Sequence, residues 1–163
     1  MTQLEDRILK LLEQDCTMPR HVIAARCDVK EAEVSEIIER LEREGVILSY
    51  QALIDWDKTK KETVTALIEV KVTPQRDKGF DRIAERIYQF DEVESVYLMS
   101  GSFDLTVIIS GRTLKEVATF VSERLSVIEG VTGTATHFIL KKYKEKHALF
   151  TKQEEQSERI AFV

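Results

Sequence analysis

Cysteine, proline and glycine are scarce in this 163-residue chain, which has two cysteines, two prolines and six glycines. Cys16 and Cys27 do not form a Cys-x-x-Cys pair, so we expect two reduced thiols in a cytoplasmic protein. The histidines, at positions 21, 137 and 147, lack metal-ligand spacing, and we expect no metal site. So little proline and glycine leaves little material for a long flexible linker.

The sequence also lacks an apolar run of the roughly 18 residues that a membrane-spanning helix needs. The first residues show no cationic stretch followed by an apolar one, so we expect no secretion signal. Charged residues make up 33% of the chain and hydrophobic ones 43%, a composition typical of folded globular proteins. These features predict a cytoplasmic protein without a membrane partner.

A net positive charge is missing as well, since the formal charge is −5. Residues 1–60 carry nine basic and thirteen acidic side chains, whereas residues 61–163 carry fifteen and sixteen. Phosphate neutralisation usually needs a basic face. Composition alone therefore argues mildly against nucleic-acid binding. This argument is strongest for the first third of the chain, where acidic side chains exceed basic ones most.

Helical periodicity dominates the first third. Thr2 and Glu5 have the spacing of a capping box, and an apolar stripe follows over residues 4–12. A short second helix is expected with Thr17 as N-cap and Pro19 in its first turn. After a tight turn at Asp28, a longer third helix covers about residues 30–44.

A short helix, a tight turn and a longer helix form a helix-turn-helix pattern, which Gly45 ends. Residues 46–54 are then read as two short strands or one bent strand, the wing of a winged helix. The polar stretch 55–62 is the best domain boundary. We therefore expect a winged helix-turn-helix domain over residues 1–58.

The second part of the chain changes period. Strands are expected at 63–72, where Pro74 would end the strand, and at 93–99, 105–109 and 131–140; helices are expected at 80–90 and 114–128. The order β-α-β-β-α-β is that of a ferredoxin-like sandwich, so the fold class is α+β. Both helices cover one face of such a sheet, and the bare opposite face predicts a dimer.

This second domain is expected over residues 59–145 and a tail over 146–163. Residues 144–163 are read as a helix that ends in the apolar stretch Ile160-Ala161-Phe162-Val163.

Several stretches together resemble the leucine-responsive (Lrp/AsnC) family of transcription regulators. They are the opening helix around Leu4–Leu12, the segment Leu41–Ile47 followed by Tyr50, Ala52 and Asp55, the pair Glu92-Val93 followed by Gly101-Ser102-Phe103-Asp104, and Gly130-Val131 followed by Thr134, Thr136 and Leu140. No single stretch is specific, but their order spans about residues 2–145. The resemblance implies DNA-binding homodimers, often assembled into octamers, that respond to amino acids or related metabolites.

Helix-turn-helix domains insert the second of the two helices into the major groove of double-stranded DNA. On this basis we expect Lys30, Ser35 and Arg40 to contact DNA and Arg20, His21 and Arg43 to contact phosphates. The chain departs from the family pattern, with Lys30 in place of a serine, Glu36 in place of an arginine and Asp28 in place of a glycine. The alternative is an acidic helix on an effector-sensing or partner subunit with weak or lost DNA binding.

The candidate effector site follows from the chemistry of an amino acid, which needs one carboxylate and several neutral donors. Asp104 can supply the carboxylate, while the backbone near Gly101 and Ser102 can supply donors. Thr134 and Thr136 lie two apart and so share a face of their strand. The resemblance implies a site at the interface between dimers that includes these residues, with Met99 and Ser100 as lining. The alternative is that Gly101 and Asp104 only form a tight turn.

His137 has the opposite parity to Thr136, so we expect a surface or interface histidine. No nucleophile motif, phosphate loop or paired catalytic carboxylate is found. Sirohaem decarboxylases share the two-domain layout, but the dispersed histidines support that enzyme class poorly. We therefore expect no enzyme and no cofactor, but a regulator whose assembly and DNA affinity shift with an amino-acid effector.

Overall fold

The computed structural model of the chain describes residues 1–73 and 79–150, and these fall into two compact units that divide between Ile54 and Asp55. Each unit has its own buried apolar cluster. None of the helices in the described part of the chain is long and apolar enough to cross a bilayer. The expected boundary, between residues 58 and 59, lies four residues further along.

The first unit contains three helices, α1 (Gln3–Gln14), α2 (Arg20–Cys27) and α3 (Glu31–Arg43). The capping box at the start of α1 is confirmed, since Glu5 N–H donates to Thr2 Oγ1 and Thr2 N–H donates to the Glu5 carboxylate. The apolar faces of the three helices meet in one cluster whose fully buried members are Ile8, Ile23 and Val34. This is the helix-turn-helix arrangement that the sequence pattern predicts.

Helix α3 ends as expected at Gly45, whose φ of 70° lies in the left-handed region. The Val46 N–H donates to the Leu41 carbonyl and the Gly45 N–H to the Glu42 carbonyl, the two bonds of a Schellman motif. The predicted cap of α2 is wrong, because Pro19 and not Thr17 occupies the N-cap. Thr17 instead donates to the Asp15 carboxylate and closes a local turn.

The wing strands predicted for residues 46–54 are absent, and this whole segment is described and irregular. A strand needs a neighbouring strand to accept its ladder hydrogen bonds. Here the Val46 and Ile47 N–H groups turn back to Leu41 of α3. The segment carries exposed apolar side chains, with Leu48 exposed to 87%.

The second unit begins with a short 3₁₀ turn, Trp56–Lys58, and continues with four strands and two helices. In chain order these are β1 (Val64–Val72), α4 (Asp81–Tyr88), β2 (Val93–Leu98), β3 (Leu105–Gly111), α5 (Leu114–Phe120) and β4 (Val131–Phe138). The sheet order is β2-β3-β1-β4, and each neighbouring pair is antiparallel. The α+β ferredoxin-like fold is thereby confirmed.

Strand parity separates the two faces of the sheet. Val70 of β1 pairs with Leu105 of β3 and Thr134 of β4, and Ile68 pairs with Val107 and Thr136. The even-numbered residues of β1 from 66 to 72 are buried against α4 and α5. The odd-numbered side chains Thr65, Leu67, Glu69 and Lys71 lie on the other face, which the helices of this unit do not cover.

The second helix of this unit differs from the expected continuous helix over 114–128. After Phe120 it passes into a π-helical segment, Val121–Leu125, in which Ser126 N–H donates to the Val121 carbonyl. The wider turn brings Phe120 and Leu125, five residues apart, into the same core.

The tail helix predicted for 144–163 is wrong where the structure describes it. Two short strands, β5 (Lys144–Glu145) and β6 (Ala148–Leu149), form a hairpin, with Lys146 and His147 at positive φ. Two left-handed residues in succession fit a hairpin turn and not a helix. The expected strand end at Pro74 and the apolar stretch 160–163 lie outside the described residues.

Candidate functional site

The outer surface of α3 is the candidate DNA-binding surface. Val34, Ile38 and Leu41 face the core, so the remaining side chains of the helix are partly or fully exposed. The helix holds five glutamates and only two arginines. This surface is therefore acidic along most of its length, which is unusual for an element that enters a groove lined by phosphates.

Arg40, one of the expected DNA contacts, is held by carboxylates of its own domain. Its Nη2 donates to Glu5 Oε1 at 2.5 Å, and its Nη1 donates to Glu44 Oε2 at 3.5 Å. The Thr2 backbone N–H, and after it the Arg40 guanidinium, lower the pKa of Glu5. Arg40 thus links α3 to α1 and is only partly available to a ligand.

Arg20, which is expected to contact phosphate, forms an ion pair with Glu39 in which Arg20 Nη1 lies 3.2 Å from Glu39 Oε1. Tyr50 donates to Glu42 Oε1 at 2.8 Å, and burial followed by this carboxylate raises the pKa of Tyr50 to about 12. Tyr50 therefore stays neutral and ties residues beyond α3 back to that helix. Glu39 therefore competes with DNA for Arg20, and Glu42 competes with DNA for Tyr50.

The other expected DNA contacts remain accessible. His21, Lys30 and Arg43 are exposed, and Ser35 is half-buried. Lys30 occupies the N-cap of α3 without a side-chain hydrogen bond. Asp28, just before it, has φ 58° and ψ 47°, the left-handed conformation that glycine adopts at no steric cost. Lys30 and Arg43 thus lie at the two ends of the acidic surface of α3, and Ser35 lies between them.

The candidate effector residues at the β2–β3 hairpin are brought together. Met99 N–H donates to the Asp104 carbonyl at 2.8 Å, and Met99, Ser100 and Gly101 are exposed. The Asp104 carboxylate accepts from the Val72 N–H at 2.8 Å. One of its oxygens therefore fastens the hairpin to the end of β1, so Asp104 has a structural task whatever else it binds.

Thr134 and Thr136 share a face of β4, as their spacing predicts, but it is the face that the helices cover. Val70 and Ile68 of β1, which pair with Thr134 and Thr136, are fully buried. Thr134 Oγ1 lies 3.4 Å from the Oγ of Ser126, which follows the π-helical segment. β1 also separates them from Asp104 by two strand spacings, about 10 Å. Within one chain, the two halves of the expected site are therefore not in contact.

His137 lies on the uncovered face and is exposed to 57%, with its Nε2 3.3 Å from Glu69 Oε1. It is a surface histidine with an acidic neighbour. Among residues 1–73 and 79–150, no group of three or more His, Cys, Asp or Glu side chains is arranged to hold a metal ion.

Sequence reasoning missed a cavity of about 770 Å³ in the second unit, where Glu92 and Arg124 form an ion pair. Glu92 directly precedes β2, and Arg124 belongs to the π-helical segment. The two are 32 positions apart and follow no motif or period. Only the packing of the helix on the sheet brings them together.

Comparison with known proteins assigns both units. The model of the Lrp/AsnC ligand-binding domain matches residues 65–149, and that of a winged helix-turn-helix DNA-binding domain matches residues 1–47. The chain is 50% identical over 151 residues to the uncharacterised HTH-type transcriptional regulator YugG of Bacillus subtilis, covering 92% of this chain and 91% of that protein.

Solved structures share the fold. The transcriptional regulator NMB0573 of Neisseria meningitidis, solved in complex with L-Met, is 20% identical with a TM-score of 0.72, over 89% of this chain and 93% of that one. AsnC of E. coli is 14% identical with a TM-score of 0.68, over 89% and 95%. The relatives are regulators and not enzymes. The chain belongs to the Lrp/AsnC family of winged helix-turn-helix transcription regulators.

Proposed function

We propose that this regulator binds double-stranded DNA as a homo-oligomer in the cytoplasm, and that an amino acid or a related small metabolite shifts its assembly and its DNA affinity. The observation that carries the proposal is that one chain combines two features. The first unit has a helix-turn-helix whose recognition helix, α3, is accessible, and the sheet of the second unit has a face that its own helices leave uncovered. L-Met bound to the Neisseria meningitidis regulator supports the ligand class.

Self-association is supported by the uncovered face of the sheet. Leu67 and Ile108 lie opposite each other at its centre, and Tyr97 is 53% exposed beside them. Apolar and aromatic side chains on a sheet face favour burial against a second layer. A second copy of the chain supplies such a layer, and a dimer that assembles further, up to an octamer, links several DNA-binding domains.

Linked domains matter because the surface of each single domain is acidic. When one domain of an oligomer has bound, the next binds as an intramolecular event, so weak individual contacts add up to useful affinity. We propose Lys30, Ser35 and Arg43 as contacts of α3, with His21 and Arg20 on phosphates. Arg40 contacts DNA only if it releases Glu5 or Glu44, so we rank it last.

The effector is proposed to lie at the 99–104 hairpin, with Asp104 receiving its ammonium group and Gly101 offering backbone donors. Met99 and Ser100 line the same turn. Because β1 separates Thr134 and Thr136 from this hairpin, we propose that they reach the ligand only where two dimers meet. Asp104→Asn is the matched test, since the amide oxygen still accepts from Val72 N–H while the negative charge is lost.

The decisive experiment is a fluorescence-anisotropy titration of the full-length protein against the upstream DNA of its own gene, at two salt concentrations, with and without an amino-acid mixture. Sequence-specific binding that weakens with salt and shifts with amino acids supports the proposal. For Asp104→Asn we expect unchanged basal binding and a lost response. An unchanged response removes Asp104 from the site.

A second candidate function is an effector-sensing or partner subunit with weak or lost DNA binding. The ion pairs of Arg20 with Glu39 and of Arg40 with Glu5 and Glu44 favour it, because they occupy two of the expected DNA contacts. In the same titration this candidate predicts no preference for the upstream DNA over a random fragment under any condition.

A further inference from the structure

The hairpin of β5 and β6, with the residues that lead into it, carries a concentration of positive charge. Residues 141–150, which we call the basic hairpin, contain four lysines and one carboxylate, for a net charge of +3 with His147 neutral. No stretch of ten residues elsewhere in the chain reaches this value. The candidate recognition helix α3 instead holds five glutamates and two arginines. Local attraction for phosphates is therefore strongest outside the helix-turn-helix.

The backbone of the basic hairpin is ordered by its own hydrogen bonds. Lys144 pairs with Leu149 in the two-stranded ladder, and the Phe150 N–H donates to the Tyr143 carbonyl at 3.0 Å. The ring of Tyr143 is exposed, and Lys141 Nζ lies 5.0 Å from its centre. The lysines are therefore displayed from a folded element of the second unit.

Two of the four lysines are available to an anion. Lys142 Nζ lies 3.3 Å from Glu145 Oε2, so the one carboxylate of the basic hairpin is already in an ion pair. Lys144 and Lys146 are exposed, and neither forms an ion pair with any residue in 1–73 or 79–150. An exposed ammonium group on a long flexible stem is a point charge suited to phosphate oxygens.

The turn of the basic hairpin uses residues that backbone stability alone does not favour. Lys146 and His147 have φ of 43° and 71°, as a type I′ turn requires at both central positions. Asn-Gly is preferred there, because a Cβ disfavours the left-handed conformation. What Lys-His adds over Asn-Gly is a positive charge and an imidazole at the tip. Sparsely populated conformations of this kind cluster at functional sites.

The chain enters the basic hairpin from the end of the sheet where β1 begins. Ile139, the residue after β4, donates its N–H to the Thr65 carbonyl at 2.9 Å, and the neighbouring Val64 pairs with Gly111 at the end of β3. The cavity of about 770 Å³ lies at the same end, and its lining holds four cations and two carboxylates. Both groups of cations add to the positive potential at this end of the sheet.

We propose that the basic hairpin is a second DNA-binding surface, in which Lys144 and Lys146 contact backbone phosphates of double-stranded DNA. The inference rests on the proposed function, because the helix-turn-helix brings DNA to the protein. Phosphate contacts carry no sequence information, so the basic hairpin raises the affinity for every DNA while α3 supplies the preference. The contact is intramolecular once α3 has bound, which offsets the acidic surface of that helix.

The salt dependence of binding tests this surface. Fluorescence-anisotropy titrations of the full-length protein use the upstream DNA and a random fragment, between about 50 and 200 mM salt. Each lost lysine–phosphate contact should reduce the slope of log affinity against log salt by about one. Lys144→Gln/Lys146→Gln should therefore reduce the slope by about two or more. Its affinity should fall by the same factor for both DNAs.

Further variants separate charge from structure. Lys144→Arg/Lys146→Arg restores both charges and should restore the slope. Lys146→Asn/His147→Gly places the preferred residues of a type I′ turn at the tip, so the hairpin is kept while one lysine is lost, and the slope should fall by about one. Arg86→Gln, exposed on α4, is the control for net charge and should leave the slope unchanged.

The hairpin contact and the proposed function fail separately, because the preference for upstream DNA reports on the helix-turn-helix and the salt slope reports on the hairpin. A preference with an unchanged slope in Lys144→Gln/Lys146→Gln overturns the hairpin contact alone. Equal affinity for both DNAs with a reduced slope in this variant supports the hairpin contact and contradicts the proposed function. No binding to either DNA overturns both.

Assembly is checked on the same variants by light-scattering chromatography. We expect Lys144→Gln/Lys146→Gln to keep the wild-type mass. A reduced slope that goes with a lower mass would overturn the hairpin contact, because the loss would then come from fewer linked DNA-binding domains.

Discussion

Arg40 of α3 donates to Glu5 of α1, whose own carboxylate accepts from the Thr2 backbone at the start of that helix. One glutamate therefore caps its helix and holds the candidate recognition helix. Glu5 is only 8% exposed, so solvent screens this ion pair less than the other pairs on α3. The relationship links the stability of the domain to its DNA surface.

Acid should weaken this domain through Glu5. The Thr2 N–H and Arg40 hold the pKa of Glu5 below its ordinary value of 4.5, so the ionised form is favoured in the folded state. The stabilisation that the ionised Glu5 carboxylate provides is complete above the pKa of Glu5 in the unfolded chain. It is lost as the pH falls through the lower pKa that Glu5 has in the folded protein. Glu5→Gln should therefore lose less stability than wild type between pH 7 and about pH 3.

Urea midpoints of the full-length protein at these two pH values provide the measurement, with Glu13→Gln, exposed on the same helix, as control. A wild-type midpoint no more acid-sensitive than that of Glu5→Gln would contradict this role for Glu5.

Asp28→Gly should stabilise the helix-turn-helix by up to about 1 kcal/mol, because Asp28 holds a left-handed conformation that glycine adopts without steric cost. Asp28→Ala is the matched control, since it removes the same charge but keeps the Cβ. Chemical denaturation should show a higher free energy of unfolding for Asp28→Gly and not for Asp28→Ala. Equal gains in both variants would assign the effect to charge instead.

Gly130→Ala should destabilise the second unit by about 2 kcal/mol. Its φ is 97°, and an added Cβ would lie 2.8 Å from Ile83 Cδ1, a buried atom of α4. Gly133→Ala, where a Cβ meets nothing within 4 Å, should have a much smaller effect. Thermal unfolding compares the two, and Ile83→Val in the Gly130→Ala background should recover part of the loss.

Neutralising the acidic surface of α3 should strengthen DNA binding. Glu36 is exposed on this helix, so Glu36→Gln removes one repulsive charge, and we expect about a two- to fivefold gain in affinity at low salt. Glu85→Gln, exposed on α4, is the control for net charge. Anisotropy titrations that show equal gains in both would mean that α3 does not meet the DNA.

A cation at the centre of the uncovered sheet face should break self-association. Leu67→Arg introduces an unpaired charge where the proposal requires apolar contact, so the variant should elute at the mass of a smaller species in light-scattering chromatography. Gln89→Arg, exposed after α4, should keep the wild-type mass. A wild-type mass for Leu67→Arg with native circular dichroism would move the interface elsewhere.

Structural features that depend on nearby residues can be read from the amino-acid sequence. The capping box of Thr2 and Glu5, the stop at Gly45 and the alternation of β1 follow from side-chain chemistry within a few positions, so pattern reading finds them. The order of strands and helices then restricts the topology to the ferredoxin-like sandwich. Even the shared face of Thr134 and Thr136 follows from a period of two.

The contacts that these side chains make depend on the tertiary fold. Thr134 and Thr136 lie on the helix-covered face because β4 pairs with β1 in one of two possible registers. The wing has no strand because, in the part of the chain that the structure describes, no neighbouring strand accepts its hydrogen bonds. Arg40 meets Glu5 across 35 positions, and Arg124 meets Glu92 across 32. Such contacts depend on how packed elements cross, and local sequence carries no period that encodes the crossing.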